Sequence, residues 1–388
     1  MPWRQVDSMD LRRAFIEEAR RGAVPMTELC ASYDISRKTG YKWLDRFERE
    51  GRRGLVDRSR RPTHTPEAVS RAMVEALLEA RRCKPYWGAR KLRAWLVRTQ
   101  PRRGWPARST IHTILRRHGA VRVRRPRRRE FPRLRTQALT AARHPNDVWT
   151  ADFKGSFRLG SGVRCYPLTV RDLASRYVLR CDALAGEYGP PTLAGFARTF
   201  AEVGVPRCIR TDNGKPFAGT GLAQLSRLNV WWMRLGIRVE RIARGRPDQN
   251  GAHERFHRDL KAQTTRPPAD TLAAQHRRFT VFRREYNDER PHEALRDQVP
   301  AARYRPSPRP LPRRLAPLEY PGHWEPRRVG SNGCIVWRTE PLFLSETLAG
   351  ETVAFEEVDD GMWTLHFGTV PLARWLERER CFRALRAD

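Results

Sequence analysis

Lysine and acid are what this sequence is short of. Only 7 of its 76 basic residues are lysine, the other 69 being arginine, and 43 Asp and Glu leave a formal charge of +33 and a pI near 11.2. A GC-rich genome accounts for arginine over lysine. It does not account for base over acid, which points to a polyanionic partner, nucleic acid first. Cysteine is sparse as well: Cys30, Cys83, Cys165, Cys181, Cys208, Cys334 and Cys381 are scattered with no C-x-x-C pair, which argues against a disulfide framework or a zinc ribbon. No run of eighteen apolar residues occurs, and the opening MPWRQVDSMDLRRAF has no apolar stretch of the kind a secretion signal needs. The expectation is an intracellular bacterial protein, cytoplasmic and nucleoid-associated, without a membrane span.

The 388 residues leave room for two to four domains. Over 10–50, MTELCASYDIS and SRKTGYKWLDRFERE read as two helices broken at Asp34-Ile35-Ser36. Ser36 is the expected N-cap, with Tyr41, Trp43, Leu44 and Phe47 apolar behind it. This is a helix-turn-helix pattern whose second helix offers Arg37, Lys38 and Lys42 to DNA; the bland alternative is a helical hairpin with a solvated basic face. TPEAVSRAMVEALLEARR, YWGARKLRAWLVR and PARSTIHTILRRHG read as three further helices, the last capped by Ser109 and ended by Gly119, a second module of the same kind. The arginine block RRHGAVRVRRPRRREFPRLR follows, with Arg125, Arg127 and Arg128 as candidate phosphate contacts.

Near 146 the texture changes. NDVWTADFKGSF, RCYPLTVRDLA and RYVLRCDAL read as three strands, PTLAGFARTFAEVG as a helix, and RCIRTDNG as a fourth strand. A helix over LAQLSRLNVWWMRLG, a short strand over RVERIARG and helices over 252–265 and 270–289 complete an α/β sheet of the ribonuclease-H type. Past a Pro-rich stretch, GCIVWRT, TVAFEEV and MWTLHFG suggest a small β-barrel. The expected division is 1–60 helix-turn-helix, 61–125 a second such module, 126–145 basic linker, 146–305 catalytic α/β core, 306–324 Pro/Arg-rich linker and 325–388 barrel.

Residues 253–257, HERFH, match H-E-x-x-H, in which two histidines grip zinc. The longer zincin pattern needs Gly and His where this chain has Leu260 and Gln263, and a protease has no use for the basic modules. Three acids offer another site. Asp152 lies in the first strand, Asp212 ends the fourth, and Glu254 opens a helix after RPDQNGA. Carboxylates at strand ends and at a helix start can converge, and their oxygens suit Mg²⁺. Asp172 reads as a turn former, and Trp231 and Trp232 as packing.

With W-x-x-D-F at 149–153, T-D-N-G at 211–214 and PDQNGAHERFHRDLK at 247–261, the chain resembles the bacterial insertion-sequence transposases with a DDE integrase core, relatives of retroviral integrases. The resemblance covers about 145–300. It implies a ribonuclease-H-like fold, two Mg²⁺ ions (Mn²⁺ substituting), nicking at the ends of a mobile element and transfer of its 3′-OH ends into target DNA. By position, Asp152, Asp212 and Glu254 become the metal ligands. The family spacing leaves about 35 residues between the second Asp and the Glu, whereas 41 separate Asp212 from Glu254, and Asp248 falls at the shorter spacing. Glu254 is preferred, the extra residues being assigned to LNVWWMRLG. Arg258 and Lys261, at i+4 and i+7 from Glu254, are expected to meet phosphates, Asn250 to contact the DNA end, and His253 and His257 to sit beside the metals, face DNA or be solvated. Partners implied are double-stranded DNA and at least a second copy of the chain. A catalytically silent DNA-binding descendant and a ribonuclease-H-type nuclease without joining activity remain the rival readings.

Overall fold

The computed structural model describes residues 7–58, 69–121, 139–187, 189–243 and 247–385. Arg125, Arg127 and Arg128, with most of the arginine block, lie outside them. The chain divides into two compact units, Met1–Ser70 and Arg71–Asp388.

The first unit is α1 (Ser8–Arg21), α2 (Met26–Ser32) and α3 (Arg37–Glu50) around Phe15, Ile16, Leu29, Cys30, Trp43 and Leu55. Ser36 caps α3 as expected, its hydroxyl accepting from Thr39 N at 3.2 Å. Tyr41 was expected to face inward and does not: it is 58% exposed, because Gly40 occupies the inward position. A Cβ on Gly40 would stand 2.6 Å from Cys30 Sγ and 2.9 Å from Phe15 Cζ, so glycine is what lets α3 approach so closely.

The second unit opens with α4 (Arg71–Cys83), α5 (Ala89–Thr99) and α6 (Arg108–Arg117). Gly119 ends α6 in the left-handed region (φ 67°) as expected. Ser109 is not the cap, since the helix already starts at Arg108 behind Ala107, whose side chain can accept nothing.

The α/β core has six strands: β1 (Val148–Phe153), β2 (Phe157–Arg158), β3 (Arg164–Asp172), β4 (Val178–Leu184), β5 (Cys208–Thr211) and β6 (Arg238–Arg241). β3 runs antiparallel to both β4 and β1, while β5 and β6 extend the sheet parallel to β1. Alternation along the strands sends Trp149, Ala151, Leu168 and Val170 to one face. There α7 (Pro190–Val203) and α8 (Arg227–Arg234) cover them with Phe196, Phe200 and Trp232. The other face takes α9 (Gly251–Thr264) and α10 (Leu272–Arg284) through Phe256, Leu260, Phe279 and Phe282. The result is a three-layer α/β/α core. Asp172 is the expected turn former: its carboxylate accepts from Ser175 N and from Asn146 N, each at 2.7 Å. Trp232 is fully buried, as packing requires. α8 takes up RLNVWWMR, and the connection before it, 213–226, carries a 3₁₀ turn at Leu222–Gln224.

Beyond the extended 306–324 stretch, β7 (Glu325–Arg328), β8 (Cys334–Trp337), β9 (Glu340–Phe343), β10 (Thr352–Asp359), β11 (Met362–Phe367), β12 (Val370–Leu376) and β13 (Cys381–Arg383) form a β-rich module. The ladder is β13-β12-β11-β10-β7 with a separate β8–β9 hairpin. Among the described residues it runs from one edge strand to another, so a sheet plus hairpin stands where a closed barrel was expected. Its core of Trp337, Phe355, Trp363 and Trp375 continues into Leu225 and Val230 of the α/β core.

Candidate active site

Strand pairing brings the first two acids together. β1 and β5 are parallel neighbours with Thr150 opposite Arg210, so carrying the register two residues further sets Asp152 beside Asp212, on strands about 4.8 Å apart. The same alternation turns Asp152 to the α9 face. Glu254 arrives from α9, whose first turn is fastened to the sheet: Arg171 Nη1 donates to Ala252 O at 2.8 Å and His253 Nδ1 meets Thr150 Oγ1 at 2.9 Å. Glu254 itself is exposed.

Electrostatics records this convergence. Burial, followed by the charge of Asp212, pushes the Asp152 carboxyl up to about 7, with Glu254 adding to the rise and Lys154 and the Phe153 N–H opposing it. Asp152 thus feels the charge of both other acids, and carboxylate oxygens are the donors that hard divalent ions prefer. Gly214 belongs to the same construction. Its N–H donates to Asp212 Oδ1 at 3.1 Å, and a Cβ there would crowd Asp212 Oδ2 at 3.1 Å.

The two histidines of HERFH are neither solvated nor facing outward: His253 is 0% and His257 4% exposed. Both Nε2 atoms converge on the Thr169 hydroxyl, at 2.6 and 2.7 Å, and that hydroxyl also donates to Asp152 O at 2.9 Å. A hydroxyl has one proton and a carbonyl can only accept, so all three bonds form together only if both imidazoles carry hydrogen on Nε2. His253 Nδ1 then accepts from Thr150, and His257 Nδ1 faces Asp152 Oδ2 at 3.7 Å. Burial holds both rings neutral, that of His257 down to about 3. Asp152, His253 and His257 do offer ligand atoms within 4.8 Å of one another. With both Nε2 atoms committed to a hydroxyl, however, the zinc-protease grip is not made.

Asn250, expected at the DNA end, is instead nearly buried at the start of α9, its amide donating to Asp152 Oδ2 at 3.4 Å. The side chain of Asp248 lies outside the described residues. Arg258 and Lys261 are exposed along α9 one and two turns from Glu254. In the first unit, Arg37, Lys38 and Lys42 are exposed at the start of α3, with Lys42 Nζ 4.3 Å from the Trp43 ring centre. Sequence reasoning missed Thr150, Thr169, Arg171 and Lys154. Thr169 is the cross-strand partner of Asp152, so the one signal was a hydroxyl inside the apolar run of β3, legible only once the register is known.

Three family models match. A helix-turn-helix domain covers residues 11–63, a homeodomain-like domain 39–115 and an integrase core domain 235–300. The last includes α9 and Glu254 but starts beyond Asp152 and Asp212. A protein of insertion element IS407 from Burkholderia multivorans is 28% identical over 250 residues, 64% of this chain and 85% of that protein. One of insertion element IS476 from Xanthomonas euvesicatoria is 29% identical over 247 residues, 63% and 66%. Solved structures overlap loosely: the HTLV-2 integrase catalytic core domain in complex with magnesium (16% identity, 42% of this chain and 97% of that one, TM-score 0.33) and a simian T-cell lymphotropic virus intasome (17%, 73% and 93%, TM-score 0.37). At those scores neither carries an argument. With helix-turn-helix domains ahead of an integrase core domain, and insertion-element proteins among its relatives, the chain is similar to the bacterial insertion-sequence proteins that carry an integrase core.

Proposed function

We propose that the chain binds the terminal inverted repeats of its element and catalyses metal-dependent strand cleavage and transfer of the 3′-OH ends into target DNA. The observation that carries this reading is the placement of Asp152 beside Asp212 with Glu254 near, in a carboxyl that burial first, and then the charges of Asp212 and Glu254, raise to about 7. These three would hold divalent ions, Mg²⁺ by their hardness. A pair of such ions, roughly 3.5–4 Å apart, supplies an activated nucleophile and a stabilised leaving oxygen at a phosphodiester. The protein's own part is to hold the oxygens in place. Thr169 and Asn250 fix the two ends of the Asp152 residue, backbone carbonyl and carboxylate, and Gly214 N–H orients Asp212. Lys154 adds positive charge beside the acids, where phosphate would lie.

Arg37, Lys38 and Lys42 would read or grip the repeat, Arg125, Arg127 and Arg128 follow phosphates, and Arg258 and Lys261 hold the backbone next to the acids. We retain the division at 60, 125, 145, 305 and 324 as the working domain map, and a homodimer or larger assembly as the state that pairs two ends. The test is a Mg²⁺-dependent strand-transfer assay on duplexes from the repeats flanking the gene. Asp152→Asn, Asp212→Asn and Glu254→Gln should each abolish transfer with end binding retained. Full activity of Glu254→Gln together with loss in Asp248→Asn would reassign the third ligand, and wild-type binding without any cleavage would favour the silent descendant.

A further inference from the structure

The second helical module is fastened to the catalytic core of its own chain. Lys84 Nζ lies 2.6 Å from Glu289 and 3.5 Å from Glu285, and its side chain is only 12% exposed. Arg90 pairs with Asp297 at 2.9 Å and with Glu293 at 2.5 Å, and Arg98 donates to the carbonyl of Glu289 at 2.7 Å. Between the α4–α5 turn, α6 and α9 this leaves a groove of about 420 Å³, lined by Arg90, Lys91 and His112 on one side and Arg255, Arg258 and Arg290 on the other. Its acids are already matched, Asp259 by Arg290 and both Glu293 and Asp297 by Arg90. Arg255 and Arg258 are exposed, and among the described residues neither has a hydrogen-bond or ion-pair partner. α6 extends the basic surface with Arg108, His112 and Arg116, exposed at intervals of four residues.

We propose that this groove is a track for the phosphate backbone of one DNA duplex, running from α6 to α9, so that the element end read by the second module is delivered to the acids of the same chain. The inference rests on the proposed function for what happens at the acids, but not for the binding path. A net positive groove with unpaired guanidinium groups fits a polyanion, and the homeodomain-like match reaches residue 115, within α6. The ion pairs fix the geometry without any second subunit: they join the second module to the 285–297 segment, which Arg290 ties in turn to Asp259 on α9, the helix that bears Glu254.

Two measurements on the full chain decide it. In hydroxyl-radical footprinting of an end duplex, wild type should protect an unbroken stretch up to the terminal base pairs. Arg255→Glu with Arg258→Glu should lose the terminal protection and keep the interior, and a footprint identical to wild type overturns the track. This arm needs no catalysis, so it still decides the track if wild type fails to cleave, a result that would sink the proposed function instead. The second arm mixes Arg108→Glu/Arg116→Glu chains with Glu254→Gln chains. Delivery in cis predicts that the mixture stays as inactive as either variant alone, whereas recovered cleavage overturns it. Lys84→Glu should cut cleavage at least tenfold while leaving binding to the interior site, and Lys84→Glu with Glu289→Lys should restore it. Failure of that restoration in a chain that binds the interior site normally counts against the clamp.

Discussion

At the scale of single residues, the site turns on one threonine and one carboxyl. Thr169→Val keeps shape and removes the hydroxyl, leaving two imidazole N–H groups and the Asp152 carbonyl without their partner. A buried polar group left unmade costs about 1–3 kcal/mol, so denaturant unfolding should show a loss of about 2 kcal/mol or more, and Thr169→Ser should recover most of it. Equal stability of the valine and wild-type proteins would show that the hub is not what fastens α9. Asp152 makes a separate prediction about pH. Its raised pKa means that the folded, metal-free protein holds a proton that the unfolded chain has released between pH 3.8 and about 7. Stability from this group is therefore full below pH 3.8 and is lost as pH rises through about 7. A metal must displace the same proton, so Mg²⁺ affinity should fall about tenfold per unit below pH 7 and level off above it. Calorimetry at pH 6 in two buffers of different ionisation heat should detect up to one proton released; none released would contradict the raised value.

At the scale of elements, α3 is the piece most exposed to a small change. Gly40→Ala would push a methyl group into Cys30 and Phe15, and overpacking of this kind costs about 1–3 kcal/mol. The variant should lower the melting temperature of the first unit and weaken end binding together; unchanged melting would mean that the helices shift at no cost. Much at this scale was legible in the sequence. The strand that carries Asp152, the Ser36 cap and the Gly119 stop follow from patterns within a few residues. What was not legible depends on pairs far apart in the chain. Three of the four ring nitrogens of His253 and His257 are taken up by Thr150 and Thr169, 84 to 103 residues upstream, which is why HERFH read as solvated or DNA-facing. Tyr41 was misplaced for a related reason: periodicity counts an aromatic as inward and has no weight for a glycine. The edge-to-edge ladder of the β module is likewise a matter of pairing, and short alternating segments fit an open sheet and a closed barrel equally well.

At the scale of the whole molecule, a charge of +33 makes binding a matter of counterions. Affinity for end duplexes should fall steeply as salt rises from about 50 to about 200 mM, with each phosphate contact contributing about 0.9 to the log–log slope. Arg258→Ala and Lys261→Ala should each lower that slope by about one, read by fluorescence anisotropy; an unchanged slope would remove the residue concerned from the DNA path. The Thr169 hub also bears on which ions the cell can put into the site. Imidazole strengthens a site for zinc and copper, ions that bind nitrogen more tightly than magnesium does. By holding both Nε2 atoms on one hydroxyl and His253 Nδ1 on another, the fold takes up three of the four nitrogens its sequence advertises. In the proposed function, discrimination among cellular metals thus falls to β3, the strand paired with the one that carries Asp152, and loss of the Thr169 hydroxyl there should open the chain to inhibition by zinc.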